Sequence, residues 1–313
     1  MTLNIHAEAF MAYTTHFAAD LAAAFPQIPL RLQEPMAAHT TFRIGGPAAC
    51  LVQPETVQQL QNLLQFARER QVPVLLLGGG SNLLCPDEGL EMLVIKTRES
   101  LNRLELISPT RIYAESGVSM ARLAQFAAQN GLTGLEFAQG IPGTVGGGIY
   151  MNAGAYGGEM CQVVASSAFV TRAGEAGTLH GEEHGFSYRK SAYMDTDNVI
   201  VSAEFELAPA DPAGIRETMQ DLAARRREKQ PLEYPSAGSA FKRPQGAYAA
   251  ALIDQCGLRG LQVGGAAVSE KHAGFIVNLG GATADDVKKL IALVQQRVEK
   301  QTGFRLEPEI RIL

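Results

Sequence analysis

The chain has 313 residues and a formal charge of −5. That length allows two or three domains with proper cores, and the mild acidity supplies no basic footprint for nucleic acid. No run of about eighteen apolar residues is present, so no membrane span is expected, and the scattered Cys50, Cys85, Cys161 and Cys256 form no Cys-x-x-Cys and no metal-ligand spacing.

The opening stretch "MTLNIHAEAFMAYTTHFAADLAAAF" has no basic leader and carries Glu8 and Asp20. It reads as an amphipathic helix rather than a secretory signal. Reduced thiols in a cytoplasmic protein fit the cysteine pattern. "ETVQQLQNLLQFARERQ" has helical periodicity, with Leu60, Leu63, Leu64 and Phe66 on one side. "VPVLLLGGGSN" is a short apolar strand running into three glycines, and "MLVIK" and "RIYAES" are further strands. Ser119 to Gly131 predicts a helix with a serine N-cap and a glycine end.

"GIPGTVGGGIYMNAGAYGGE" follows, then the alternating strands "VVASSAFVT" and "NVIVSAEFEL". Near Ala208 the composition changes at "PADPAG". A charged helix stopped by Pro231 comes next, then a helix closed by Gly257 and the strand "GFIVNLGG". A long helix with Thr283 as N-cap precedes "RLEPEIRIL", a final strand. The expected class is α+β. One region covers 1–207, with subdomains of about 20–75 and 76–207 after the N-terminal helix, and a smaller domain covers 208–313.

Two glycine clusters, "LGGGSN" and "GIPGTVGGG", each follow an apolar segment. Glycine lets main-chain N–H groups approach a ligand with no Cβ in the way, and successive N–H groups form anion-binding concavities. Ser81, Asn82, Thr144 and Asn152 add short polar side chains. Neither the P-loop pattern nor the Rossmann fingerprint is present. Residue chemistry alone therefore points to a phosphate-bearing cofactor of unstated identity, with tight turns in a compact domain as the plainer alternative.

From "HTTFRIGGPA" to "LEPEIRIL" the chain carries an ordered set of motifs. They are "LLGGGSNLL", "GLEFAQGIPGTVGGGIYMNAGAYGGE", "FSYRKS", "QPLEYPSAGSAFKRP", "LIDQCGLRG" and "GGAAVSEKHAGFIVN". In this order and spacing the sequence resembles the UDP-N-acetylenolpyruvoylglucosamine reductase (UDP-N-acetylmuramate dehydrogenase) family. The resemblance implies an FAD-binding domain of the vanillyl-alcohol-oxidase type plus a smaller α+β substrate-binding domain, its last strand returning toward the active site. Because "YRKS" runs through "AYMDTD" straight into a strand, the resemblance is to the type lacking an extra tyrosine loop.

The implied reaction is NADPH-dependent reduction of the enolpyruvyl group of a UDP-sugar through FAD. FAD is assigned to Leu77, Gly78, Gly79, Gly80, Ser81 and Asn82, to Gly117, and to Gly140, Ile141, Pro142, Gly143 and Thr144. Gly146, Gly147, Asn152, Gly154 and Ala155 complete that set. Ser239 matches the family's general acid, Arg189 its carboxylate-binding arginine and Glu309 its catalytic glutamate. From sequence alone these are a turn serine, a strand-end arginine and a C-terminal carboxylate, with Glu307 a competitor on the same strand face. Tyr156, Tyr188, Lys229, Gly238, Arg243 and His272 are expected substrate contacts. No separate nicotinamide fingerprint is visible, as expected where nicotinamide and sugar use one face in turn. A monomer is expected, with no nucleic-acid or membrane partner. Two alternatives stay open at this point: another FAD oxidoreductase on the same cofactor domain, and a catalytically silent nucleotide-sugar-binding protein.

Overall fold

The computed structural model describes residues 16–313. The helix expected at the N-terminus is present over 16–24, and the rest of that expectation lies outside the described residues. The chain packs as two compact units. One runs to Glu34 and takes in Ala48–Gly78 and Glu91–Leu222; the other holds Pro35–Pro47, Gly79–Leu90 and Ala223–Leu313.

The first unit is built on two sheets. A four-stranded sheet has the order Leu30–Pro35, Pro47–Val52, Leu90–Lys96, Val74–Leu77. The helix Val57–Glu69 lies in its core because Leu60, Leu63, Leu64, Phe66 and Ala67 recur at helical spacing, and Thr56 caps its first turn by accepting from the Gln59 N–H. Phe17 and Leu21 enter the same core. The second sheet is antiparallel, in the order Ala176–His180, Val164–Val170, Val199–Glu206, Arg111–Glu115, Leu104–Ser108. The helix Met120–Gln129, capped by Ser119, contributes Met120, Leu123 and Ala124 to a core with Val145, Ile149 and Phe205. No long insertion follows Lys190; a one-turn helix, Ala192–Asp195, leads into the strand Val199–Glu206.

The glycine run departs from expectation. Val145–Tyr150, which includes three consecutive glycines, is a short helix. Glycine disfavours helix by about 1 kcal/mol relative to alanine, so packing decides here. A Cβ at Gly146 would lie 2.9 Å from the Ser116 Cβ, and one at Gly148 would lie 2.8 Å from the Met120 sulfur. At Gly146 the Ser116 Cβ leaves no room for a side chain, and at Gly148 one would displace the end of the Met120 side chain.

The second unit holds a four-stranded antiparallel sheet in the order Ser236–Ser239, Phe275–Asn278, Ala266–Val268, Gln262–Val263. The helix Ala284–Thr302 begins at a Thr283–Asp286 capping box and ends at Gly303, whose φ of 75° suits a left-handed stop. Segments 35–47 and 79–90, grouped with 1–207 by the sequence, belong to this unit. Phe42, Ile44 and Leu84 are fully buried in its core. The Asn278 amide donates to the Phe42 carbonyl at 3.1 Å, and Asp87 accepts from the N–H groups of Ala284 and Asp285 at 2.8 and 3.2 Å. Composition along the chain cannot register such distant partners. The boundary expected near Ala208 falls instead within the helix Pro212–Lys229, whose Ile215 and Met219 pack in the first unit's core.

The chain's end is less regular than the expected strand. Arg311–Ile312 pair in parallel with Leu83–Leu84, while Pro308 sits opposite Phe241. Lys242 N–H donates to the Glu307 carbonyl and Glu309 N–H to the Ala240 carbonyl, both at 2.8 Å. Those bonds flank the 241–308 pair, so Pro308 occupies a position where no ladder donor is required.

Candidate active site

In the first unit, residues 143–146 run beside 116–120. Met120 N–H bonds to the Gly143 carbonyl, Val145 N–H to Val118 and Gly146 N–H to Ser116. This brings the Thr144 and Ser116 hydroxyls into one region. Both are buried and neither has a hydrogen-bond partner; the Gln139 side-chain oxygen is in the same condition. Buried polar atoms are nearly always satisfied, so this group of orphans at the glycine segment fits a polar ligand with several acceptors and donors. Gly78 belongs to the same place, since a Cβ there would lie 2.4 Å from Thr144 Oγ1. These residues fit the phosphate-bearing cofactor expected from sequence. Ser116 and Gln139 were not anticipated; their only sequence signal is adjacency to Gly117 and Gly140.

The remaining glycines divide by function. A Cβ at Gly80 would lie 2.1 Å from the His39 carbonyl oxygen, and one at Gly117 would lie 1.9 Å from that of Thr97. At Gly154 it would meet the Glu159 Cβ at 2.7 Å. At these positions the side chain is deleted to admit the protein's own chain. Gly147 is different: it is exposed and a Cβ would meet nothing nearer than Thr144 Oγ1 at 3.8 Å. Asn152 likewise has a structural task. Its amide donates to Glu159 and to the Ser187 carbonyl, both at 3.1 Å, and its oxygen accepts from Cys161 N–H at 3.0 Å. That side chain is fully engaged inside the protein.

Asn152 thereby ties two turns together. One is the hairpin pairing Gly154–Ala155 with Gly158–Glu159, whose tip, Tyr156 and Gly157, has φ of 55° and 89°. Two positive φ values match a type I′ turn, and Tyr156 stands 43% exposed at its first position. The other turn is Ser187–Lys190, closed by reciprocal N–H to carbonyl bonds of 3.1 Å. It carries Tyr188 and Arg189. The Arg189 guanidinium donates to the Gly154 carbonyl at 3.3 Å and lies 5.3 Å from the Tyr188 ring centre. The sequence-predicted Tyr156, Tyr188 and Arg189 thus share one locality.

The second unit assembles the other expected residues. Gly79, Gly80, Ser81 and Asn82 belong here, whereas Leu77 and Gly78 belong to the first unit. The Asn82 amide donates to the Glu309 carbonyl at 3.1 Å, and Arg311 N–H returns to the Asn82 carbonyl at 3.0 Å. Glu309 in turn donates its N–H to Ala240, the residue after Ser239. Ser239 pairs with Phe275 at the end of an edge strand whose register slips between Ser236 and Ser239. Gly238, at φ 77° with open space around a hypothetical Cβ, supplies the left-handed residue at that irregularity. Such bulges re-aim a side chain at a sheet edge.

The structure also separates the two glutamates. Glu307 is exposed and paired with Lys242 at 3.3 Å, while Glu309 is half-buried between Ala240 and Asn82. Of the expected substrate contacts, Lys229 is exposed at a helix end, and Arg243 lies 4.6 Å over the ring of exposed Tyr248. His272 is held in a turn. Its Nδ1 accepts from Gly274 N–H at 3.1 Å, and burial pulls its pKa below the ordinary imidazole value. With Nδ1 accepting, Nε2 of the neutral ring carries the hydrogen. No metal-binding cluster occurs among the described residues.

Known proteins match this arrangement in both halves. An FAD binding domain model matches residues 48–180, and the C-terminal domain of UDP-N-acetylenolpyruvoylglucosamine reductase matches 230–313. The UDP-N-acetylenolpyruvoylglucosamine reductase of Syntrophomonas wolfei subsp. wolfei is 44% identical over 288 residues, covering 92% of this chain and 96% of that protein. The protein of that name from Clostridioides difficile is 45% identical, covering 91% and 93%. The crystal structure of the Thermus caldophilus reductase superposes with a TM-score of 0.78 at 35% identity, covering 91% of this chain and 98% of that one.

Proposed function

The chain belongs to the UDP-N-acetylenolpyruvoylglucosamine reductase family, and on that premise we propose how its own residues bind, polarise and protonate the substrate. It is an FAD-dependent oxidoreductase of peptidoglycan precursor synthesis, reducing UDP-N-acetylglucosamine enolpyruvate to UDP-N-acetylmuramate with NADPH. When bound, FAD would supply the hydride chemistry between NADPH and the enolpyruvyl carbon β to the carboxylate, which no side chain of this chain supplies.

Thr144, Ser116 and Gln139 hold the cofactor with their unpartnered polar atoms, aided by the main chain at Gly78 and Gly147. Arg189 binds the substrate carboxylate, because a guanidinium offers two parallel donors to a carboxylate. As hydride arrives, negative charge spreads over the α-carbon and that carboxylate, and Arg189 stabilises it. Ser239 donates the proton to the α-carbon. A serine hydroxyl is a weak acid in water, but a carbanionic acceptor within hydrogen-bond reach is basic enough to take its proton. Glu309 polarises the substrate together with Arg189 or assists that protonation. Tyr156, Tyr188, Lys229, Gly238, Arg243 and His272 complete the contacts to the UDP-sugar.

The observation that supports pairing Ser239 with Glu309 is the bond from Glu309 N–H to the Ala240 carbonyl, which holds the Glu309 backbone beside the strand end bearing Ser239. The protein acts as a cytoplasmic monomer in this reading; its four cysteines are all free, as a reducing compartment keeps them. The test is an anaerobic visible spectrum of the holoenzyme, with NADPH added first and the enolpyruvyl sugar second. Bleaching followed by recovery of the flavin bands supports the reading. Bleaching without recovery overturns the substrate assignment.

A further inference from the structure

Arg189 sits in an uncomfortable backbone conformation. At φ 54° it occupies the left-handed region, in the third position of the Ser187–Lys190 turn where glycine is usual. For a residue with a side chain this costs roughly 1–2 kcal/mol, and such strain persists only where the surroundings over-determine it. The surroundings here are short one-turn helices, Gly181–His184 before the turn and Ala192–Asp195 after it. Neither has the length to be rigid by itself.

One serine bonds to both of them. Ser167 lies on Val164–Val170, an inner strand of the five-stranded sheet. Its hydroxyl is 2.8 Å from His184 Nε2 and 2.7 Å from the Tyr193 hydroxyl. Ser167 and His184 are fully buried, and Tyr193 is 1% exposed. The protons follow from chemistry. His184 Nδ1 lies 2.9 Å from the Gly181 carbonyl, which can only accept, so Nδ1 carries the hydrogen. Nε2 of the neutral ring is then an acceptor for the Ser167 O–H, and Ser167 Oγ accepts from Tyr193 O–H. The Ser167 carbonyl offers that hydroxyl a second acceptor at 3.4 Å. Burial, which lowers the His184 pKa, favours the same neutral ring.

We propose that Ser167, His184 and Tyr193 are positioning residues for Arg189, clamping both flanks of its turn to one point on a sheet strand. Two further bonds reach the turn from the glycine segment: Asn152 to the Ser187 carbonyl at 3.1 Å, and the Ser191 hydroxyl to the Tyr150 carbonyl at 2.8 Å. The Ser167 bonds hold the flanks, the Asn152 bond holds the turn itself, and the Ser191 bond fastens the start of the second flank. A network that is fully satisfied and buried contributes modestly to net stability but strongly to a unique geometry. Its consequence is that the guanidinium meets the substrate carboxylate without a search. This rests on the reading that Arg189 binds that carboxylate.

Tyr193→Phe and Ser167→Ala each delete one oxygen from the holoenzyme. Two measurements read the result. The first is limited trypsin digestion, since cleavage after Arg189 or Lys190 reports release of the turn. The second is steady-state kinetics with the enolpyruvyl sugar, in the wild-type and the Arg189→Lys backgrounds. The proposal expects faster cleavage at 189–190 in both variants. It also expects kcat/KM for the sugar to fall about tenfold to a hundredfold, flavin reduction by NADPH to stay within about twofold, and the losses to shrink in the Arg189→Lys background. Faster cleavage with wild-type kinetics, Arg189→Lys itself turning over normally, supports the clamp and removes the carboxylate reading. Folded variants with wild-type cleavage, or kinetic losses equal in both backgrounds, overturn the clamp. Should Ser167→Ala not fold, Tyr193→Phe decides the matter alone.

Discussion

The side-chain amide of Asn82 donates to the main-chain carbonyl of Glu309 at 3.1 Å. A residue of the first glycine loop thus holds a residue of the chain's end by its backbone. Arg311 N–H, bonded back to the Asn82 carbonyl, makes the attachment reciprocal. Asn82→Ala leaves that carbonyl without its donor. The expected cost is about 1–2 kcal/mol in urea unfolding, with a fall of roughly tenfold in flavin reoxidation by the enolpyruvyl sugar as Glu309 loses its anchor. Urea titration and stopped-flow absorbance check the two parts separately.

Ser239→Ala tests the proton donor. The fold tolerates the change, since Gly238 and not Ser239 supplies the unusual backbone angle at this point. Turnover of the enolpyruvyl sugar should fall by about 10²–10⁴, while NADPH bleaches the flavin at the wild-type rate. Equal turnover in the variant would remove Ser239 from the chemistry.

Thr144→Val separates apoprotein from holoprotein by the sign of its effect. Without ligand, the Thr144 hydroxyl is buried and unpartnered, a condition that costs about 1–3 kcal/mol. The isosteric methyl relieves it, so the apoprotein should melt at a higher temperature. With FAD bound the lost hydrogen bond weakens affinity, by roughly five- to tenfold. Calorimetry of the apoprotein and fluorescence titration with FAD give the two signs. Weaker melting of the apoprotein would mean that this hydroxyl has a partner within the protein.

Much of this architecture was legible from sequence. The helices Val57–Glu69, Met120–Gln129 and Ala284–Thr302 announce themselves through apolar spacing and through Thr56, Ser119 and Thr283 as caps. The glycine segment did not. Helix propensity argues against Val145–Tyr150, and only contacts with Ser116 and Met120 explain it. Local pattern also could not place Phe42 or Leu84, whose packing partners lie far along the chain. At the site, motif order and the family resemblance put forward Arg189, Ser239 and Glu309 as the residues to test. The supporting residues have no such signal: Ser167, His184 and Tyr193 come together through sheet pairing and two short turns, which one-dimensional spacing does not encode.

The two C-terminal glutamates give a paired prediction. Glu307 is exposed and engaged with Lys242, the kind of surface pair that contributes about 0–1 kcal/mol. Glu307→Gln should leave turnover within about twofold. Glu309→Gln keeps the backbone bonds to Ala240 and Asn82 and removes only the charge, so loss should appear in the step with the sugar, by about 10²-fold or more. Stopped-flow measurement of both half-reactions distinguishes them, and the reverse ranking would reassign the catalytic carboxylate to Glu307.

The thiols give a prediction about pH. Burial pushes the Cys50 and Cys85 thiols up to about 11 from an ordinary 9.0. Between those values the folded protein keeps protons that the unfolded chain releases. The stabilisation is therefore complete below about pH 9 and is lost as pH rises toward 11. Urea midpoints should accordingly fall across that window. Cys161 is exposed, whereas Cys50 and Cys85 are not. At pH 8 an aromatic disulfide reagent should label Cys161 in the native protein and reach Cys50 and Cys85 only after unfolding. Peptide mass mapping reads the order directly; native labelling of all three at one rate would show that the cores around Cys50 and Cys85 open far more readily than their burial implies.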